Sequence, residues 1–372
     1  MVAITIAIAA ALYFYINGSF TSYQQSSIFD KLSNNNWQQK DGSGQNGGDS
    51  ALGSEKKATP DNPPEIKTLQ IIRTNILNTG FIKDSDTIQI TAVVEDENLP
   101  TLTITADLSQ LLKNGGTEVP PTTFSEGQAT WILENIGLTT PDGSKTVTIT
   151  ASDEFNSKGT NTATVIVDNT KPAPITGFSA TPGHNKIKLK WTTPTEDPDT
   201  EAYGILIRRV SWGNYPEYPG SGPTYPANNE GTPAYSASGI LTDSYTDQFN
   251  TNGLQRDIYY YQAFLYDKAY NYGPADSGAH ARSTNYWLGD VAPYNPNTGA
   301  IGDGYVNQDD MTVLSASYFT HAGGPGFNPL CDIGPESQSP AIGRGIPMPD
   351  KSIDFHDLVP FSFNYGVVNP DM

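Results

Sequence analysis

The sequence predicts a mostly β protein. A long hydrophobic α-helix opens the chain, two β-sandwich domains follow, and a small α-helical domain closes it. Three observations carry this expectation. Residues 1–29 contain no Asp, Glu, Lys or Arg. Short runs of Val, Ile and Thr alternating with polar residues recur between residues 60 and 284. Near the end, two aspartate-rich stretches each precede a run that reads as a helix. The expected domains are 1–38, a hydrophobic helix; 39–59, a Gly/Ser-rich linker; 60–170 and 171–284, the sandwiches; and 285–372, the helical domain.

Met1–Ile16 reads MVAITIAIAAALYFYI. A secretory signal peptide needs a positively charged start and a small-residue cleavage site after its apolar core, and this run has neither. The expectation is that removal of an upstream leader exposes the segment, which then stays with the mature protein. A helix apolar all round must be buried in lipid or among other helices. Sixteen residues span about 24 Å and an extension through Phe29 about 43 Å, against a bilayer core of about 30 Å.

Val2-Ala-Ile-Thr-Ile-Ala-Ile-Ala-Ala-Ala-Leu-Tyr-Phe-Tyr-Ile-Asn17-Gly-Ser-Phe20 resembles the N-terminal helix of archaeal type IV pilins. The resemblance implies a segment inserted in the membrane before assembly. It would then polymerise with copies of itself, through residues 1–29, into the core of an extracellular filament. Thr5 stands where bacterial type IV pilins carry Glu, which favours the archaeal kind. The plain alternative is a single membrane anchor.

The formal net charge is −19, with 16% charged residues, 35 Gly and 28 Pro. This composition suits an extracellular, cell-surface location and disfavours nucleic-acid binding, since no basic patch is present to neutralise phosphates. Cys331 is the sole cysteine, so no intrachain disulfide forms.

Lys40–Leu52 is flexible by composition. Ile88–Val94, Leu102–Thr105, Thr146–Thr150 and Thr162–Val167 then alternate as strands. Turn signals at Asn114-Gly115-Gly116 and Asp142-Gly143 separate them. Regular short strands predict a sandwich, with Trp131 in its core. The closing TATVIVDNTKP resembles the last strand and linker of surface immunoglobulin-like repeats.

In the next domain Ile175–Pro182, Lys186–Trp191 and Ala202–Arg208 read as strands, with Ile187, Leu189 and Trp191 facing inward on a period of two. Leu254 followed by Tyr259 and Tyr261 resembles the tyrosine-corner strand of fibronectin type III domains. That resemblance implies a buried phenol hydrogen-bonded to backbone near the corner. The insert Trp212–Gly239, rich in Pro, Gly and Tyr, is expected to cover a neighbouring domain or subunit, or to bind carbohydrate.

The last domain carries metal chemistry. Calcium takes six to eight oxygen ligands, offered at alternate positions of a loop that enters a helix. Asp303-Gly304-Tyr305-Val306-Asn307-Gln308-Asp309-Asp310 fits such a loop. Asp303 and Asn307 take positions 5 and 9, the Tyr305 carbonyl position 7, Asp310 position 12 and Asp290 position 1. Asn295 or Asn297 would take position 3. The helix is expected from Gln308 through Phe319. A second copy follows, with Asp332 at position 1, then Asp350, the Ser352 carbonyl, Asp354 and Asp357, and Lys351 where the first loop has Gly304. The pair resembles a type I dockerin over about 285–368. The resemblance implies two bound Ca2+ ions and a cohesin-like partner. In both loops positions 1 and 5 are further apart than in an unbroken loop. Acidic turns that simply cap helices are the plain alternative.

Glu95–Asn98, Asp153-Glu154, Asp168-Asn169 and Asp267 with Asn271 lie near predicted strand ends. They read either as calcium ligands between domains, as in cadherin-like repeats, or as solvated turns. Asn17-Gly18-Ser19 is a glycosylation pattern. His184, His280, His321 and His356 are isolated in sequence, and no metalloprotease or nucleophile-elbow motif occurs, so no enzymatic activity is expected. The expected function is that of a filament subunit. Its alternative is a membrane-anchored surface protein whose last domain recruits a cohesin-like partner.

Overall fold

The computed structural model describes residues 62–367, except 78, 98, 193–202, 239–241, 249–252, 276, 296–299 and 338–341. The apolar segment, the glycosylation pattern and the linker all fall outside the described residues.

The first sandwich is made of β1 (Glu65–Arg73), β2 (Phe81–Ile82), β3 (Ile88–Glu95), β4 (Thr103–Asp107), β5 (Thr123–Ser125), β6 (Gln128–Leu133), β7 (Gly143–Ser152) and β8 (Lys158–Val167). One sheet has the order β1-β3-β6-β5 and the other β2-β8-β7-β4. The short β2 pairs parallel to β8, while the other pairs are antiparallel. This is the strand order of an immunoglobulin-like sandwich. Alternation in β3 buries Ile88, Ile90, Ala92 and Val94 and leaves the intervening side chains at the surface. Trp131 is buried among them and donates its indole N–H to the Val119 carbonyl at 3.0 Å, so its one polar atom is satisfied.

The second sandwich contains β9 (Thr176–Gly183), β10 (Lys186–Thr192), β11 (Gly204–Ser211), β12 (Thr232–Ser238), β13 (Ser244–Asp247), β14 (Ile258–Tyr266) and β15 (His280–Thr284). Its sheets run β13-β10-β9 and β12-β11-β14-β15, a three-plus-four arrangement of fibronectin type III kind. Ile187, Leu189 and Trp191 face the core as their period predicts. Tyr259 forms the corner, its hydroxyl donating to the Gln255 carbonyl at 2.8 Å. Tyr261 instead donates to Asp247 Oδ2 at 2.9 Å, beside the Arg209–Asp247 ion pair. Every residue of β14 is buried. One face meets the sandwich core; on the other, the insert lays Tyr218, Trp212 and Tyr225 against Tyr260 and Ile258.

The C-terminal module contains β16 (Tyr294–Asn295), β17 (Ala300–Ile301), α1 (Gln308–Ser317), β18 (Thr320–His321), β19 (Glu336–Ser337), β20 (Ile346–Pro347), β21 (Ser352–Ile353) and α2 (Phe355–Asn364). Trp287, Leu288, Val306, Leu314, Cys331, Ile353 and Phe361 form its core. Burial pushes the Cys331 thiol up to about 12, so it stays protonated at neutral pH.

The fold-class expectation therefore needs correction. The described fold is built of β-sandwiches, and its α-helices are α1 and α2, of ten residues each. No helix among the described residues is long and apolar enough to cross a membrane. The long apolar helix expected at residues 1–38 is not among the described elements, and those residues lie outside them. In strands such as β3, β7 and β10 the apolar residues alternate, a pattern that buries one face of a strand and gives no apolar helix. The last module is also less helical than expected, because the extra residues between ligand positions 1 and 5 form the hairpins β16–β17 and β19–β20. Helix α1 stops at Ser317, two residues before Phe319. Tyr318 is extended, Phe319 is left-handed at φ 59°, and the Phe319 N–H donates to the Ile353 carbonyl instead of continuing the helix.

Candidate metal centre

Each helix of the last module starts with a reciprocal cap. Asn307 Oδ1 accepts from the Asp309 N–H at 2.7 Å while Asp310 Oδ2 accepts from the Asn307 N–H at 2.8 Å. Asp354 and Asp357 repeat this at α2, with His356 N–H at 2.8 Å from Asp354 Oδ1 and Asp354 N–H at 2.8 Å from Asp357 Oδ2. Such boxes satisfy backbone donors that a helix start leaves open.

The same carboxylates reach back across the loop. The second oxygen of Asp310 accepts from Val291 and Ala292, both at 2.7 Å. Asp357 accepts from Ile333 at 2.7 Å and Gly334 at 2.8 Å. Position 1 does the complementary thing. Asp290 accepts from Asp303 at 2.9 Å and Gly304 at 3.2 Å, and Asp332 from Asp350 at 3.1 Å and Lys351 at 2.8 Å. The two loops thus share one internal frame despite hairpins of different length. They also clasp each other. The Val306 carbonyl accepts from Gly366 at 2.9 Å, and the Ile353 carbonyl from Phe319 at 2.8 Å.

Asp290, Asp310, Asp332 and Asp357 are all buried. Burial raises the carboxyl pKa of Asp310 and Asp357 and pushes Asp332 up to about 6; Asp357 and Asp350 add repulsion at Asp332. Buried, mutually repelling carboxylates are what a hard cation relieves. The residues therefore fit calcium. Asp332, Asp350, Asp354, Asp357 and the Ser352 carbonyl would hold it in the second loop. Asp290, Asp303, Asn307, Asp310 and the Tyr305 carbonyl occupy the matching places in the first, where the Arg256 guanidinium also lies 3.7 Å from Asp290 Oδ2. Gly302 is needed here, since a Cβ on it would lie 2.3 Å from Asp290 Oδ1. Lys351 takes the left-handed conformation at φ 70° that Gly304 adopts at φ 92° in the first loop.

In the second loop, ligand atoms of Asp350, Asp354 and His356 lie within 4.8 Å of one another. His356 is absent from the sequence prediction; it follows Asp354 by two, and no ligand spacing marks it. For position 3, Asn297 lies outside the described residues, and of Asn295 only the backbone is described. The sequence also gives no sign of Arg256. It donates to the Ile301 carbonyl at 3.0 Å and to the Asp290 carbonyl, and lies 3.7 Å from Asp290 Oδ2.

Of the other acidic clusters, Asp153 closes a turn, accepting from Phe155 and Ser157 at 2.8 Å. Asp267 and Asn271 serve a joint between the sandwiches. Asn271 donates to the Asp168 carbonyl at 2.8 Å and to Asp267 Oδ2 at 2.9 Å. Nearby, Arg73 donates to the Ala269 carbonyl at 2.8 Å, and Lys83 to the Tyr270 carbonyl. The insert serves a second joint, toward the last module. Tyr218 and Tyr286 share a hydroxyl–hydroxyl hydrogen bond of 3.1 Å. A partly open cavity of about 800 Å³ lies between insert and module, lined in part by Trp212 and Glu217 of the insert, Arg282 of β15, and Phe327, Asp332 and Met348 of the module.

No family model matches the chain, and no curated protein matches it. Among solved structures, it is similar to domains A168–A170 of titin, at 14% identity and a TM-score of 0.35, covering 60% of this chain and 67% of that one. The FN1–FN3 domains of chicken CNTN1 match at 15% identity and TM-score 0.36, with 60% and 68% covered. Dimeric latent PorU from Porphyromonas gingivalis matches at 14% and 0.19, with 62% of this chain and 20% of that one covered. The sandwich assignment rests on the strand orders above.

Proposed function

We propose that the chain is a structural subunit of an extracellular filament, assembled through its uncharged N-terminal segment, with the sandwiches and a calcium-stabilised last module as its outer part. The observation that carries this reading is the pair of hydrogen-bonded joints, at Asn271 and at Tyr218–Tyr286, which couple three modules into one unit. A surface subunit under shear needs such coupling. Calcium would supply the counter-charge that Asp332 and Asp357 need in order to ionise while buried. An adhesive role falls to the cavity, where Trp212 offers an aromatic face and Glu217 and Arg282 offer polar groups, a set suited to carbohydrate. The test is electron microscopy of material sheared from native cells, with mass spectrometry of its subunits. Filaments containing this chain are expected. Recovery only as separate copies in detergent extracts of membranes would overturn the reading.

A second reading, a membrane-anchored protein that docks a cohesin-like partner, is favoured by the exposed Phe319, Phe355 and Phe363 on the last module, 77%, 67% and 55% accessible. Affinity capture on the immobilised chain, with and without calcium, tests it.

A further inference from the structure

The two loops share their internal frame and differ in what stands beside position 1. At Asp290 the second sandwich intrudes. Arg256 Nη1 lies 3.7 Å from Asp290 Oδ2, and His184 Nδ1 lies 3.6 Å from the same oxygen. Arg256 is held from several sides. It donates to the Asp290 and Ile301 carbonyls, and its guanidinium lies 4.1 Å from the Tyr286 ring centroid and 5.4 Å from that of Tyr215. Its side chain is only 10% accessible. At Asp332 the surroundings are different. Among the described residues, no Lys, Arg or His side-chain nitrogen forms an ion pair with that carboxylate, which instead accepts from the backbone N–H groups of Asp350 and Lys351. Elsewhere in the same loop, ligand atoms of Asp350, Asp354 and His356 lie within 4.8 Å of one another.

An arginine cannot shed its charge and, gripped this way, has nowhere to swing. A divalent ion bound to Asp290 would share a carboxylate with a fixed positive charge in a water-poor setting, where like charges repel strongly. We infer that the first loop carries its cation permanently, as the Arg256 guanidinium, and that calcium enters the second loop alone. The first loop then acts as a metal-independent clamp between the second sandwich and the last module, and the second as the calcium-responsive half. This inference rests on the calcium reading above and narrows it to one site.

The experiment is a terbium-luminescence and calcium-displacement titration of the full chain in detergent micelles. One site per chain is expected. Asp332→Asn should abolish it, and Asp290→Asn should leave its affinity within about threefold. Arg256→Met should open a second site, whereas Arg256→Lys, which keeps the charge, should not. Two comparable sites in the unmodified chain, or loss of the single site in Asp290→Asn, would overturn the inference while leaving calcium binding intact. No site at all in the unmodified chain would overturn the calcium reading itself. The Asp332 and Asp290 variants decide the matter even if Arg256→Met unfolds.

Discussion

The side-chain amide of Asn271 donates to the backbone carbonyl of Asp168 at 2.8 Å, joining a turn of the second sandwich to the strand end of the first. It also donates to the Thr170 carbonyl at 3.3 Å. One side chain thus serves two carbonyls near the point where one sandwich hands over to the next. Asn271→Ala should destabilise the protein by about 1–3 kcal/mol, the penalty for leaving buried partners unmet. Urea unfolding measures this. Hydrogen exchange should show faster opening at residues 168–170 with the sandwich cores unchanged.

The same joint sets a pH dependence. Burial, with the charge of Asp267 adding to it, pushes the Asp168 carboxyl up to about 6; Asp142 raises it further, and Lys83 opposes. Its folded value lies above its unfolded one, so the folded state holds the proton more tightly. The contribution is fully present below about pH 4 and is lost as pH rises through 6. Because the group is half-exposed, the amount is on the order of 1 kcal/mol. Asp168→Asn should remove this part of the decline between pH 4 and 6.5 in urea titrations.

Inside the second sandwich, Arg209 Nη1 lies 2.6 and 2.7 Å from the two oxygens of Asp247, and Tyr261 donates to one of them. Asp247→Ala removes the carboxylate from a buried guanidinium. It should cost about 3–5 kcal/mol, far more than a surface ion pair. Thermal unfolding of Asp247→Ala against Tyr261→Phe, for which about 1 kcal/mol is expected, separates the charge effect from the loss of one hydrogen bond.

Lys351 occupies left-handed backbone without glycine's freedom. Lys351→Gly should relieve about 1 kcal/mol of steric cost, partly offset by the greater entropy glycine loses on folding. A small rise in unfolding temperature is expected. A fall would show that the lysine stem supplies packing worth more than the strain.

Much of this fold is legible in the sequence because its signals are local. Period-two alternation marks β3, β7 and β10. The spacing of Leu254 and Tyr259 marks the corner, although the sequence leaves open which tyrosine meets backbone; only Tyr259 does. In the last module, the Asp303–Asp310 and Asp350–Asp357 stretches mark both helix starts. What the sequence hides depends on distant partners. Arg256 meets Asp290 across 34 positions, and no periodicity encodes that meeting. The uninterrupted burial of β14 follows from the insert folding over it. The hairpins within the loops look like mere extra length until their strands pair.

Asn364 Nδ2 donates to the Leu288 carbonyl at 2.9 Å, and the Gly366 N–H donates to the Val306 carbonyl at 2.9 Å. The path of the backbone therefore leaves the last module next to where it came in. Tension pulling residues 288 and 364 apart would meet these few contacts first and load them one after another, as in an unzipping seam. The module's mechanical resistance is then set at that seam, with Phe361 and Trp287 strained only after it parts.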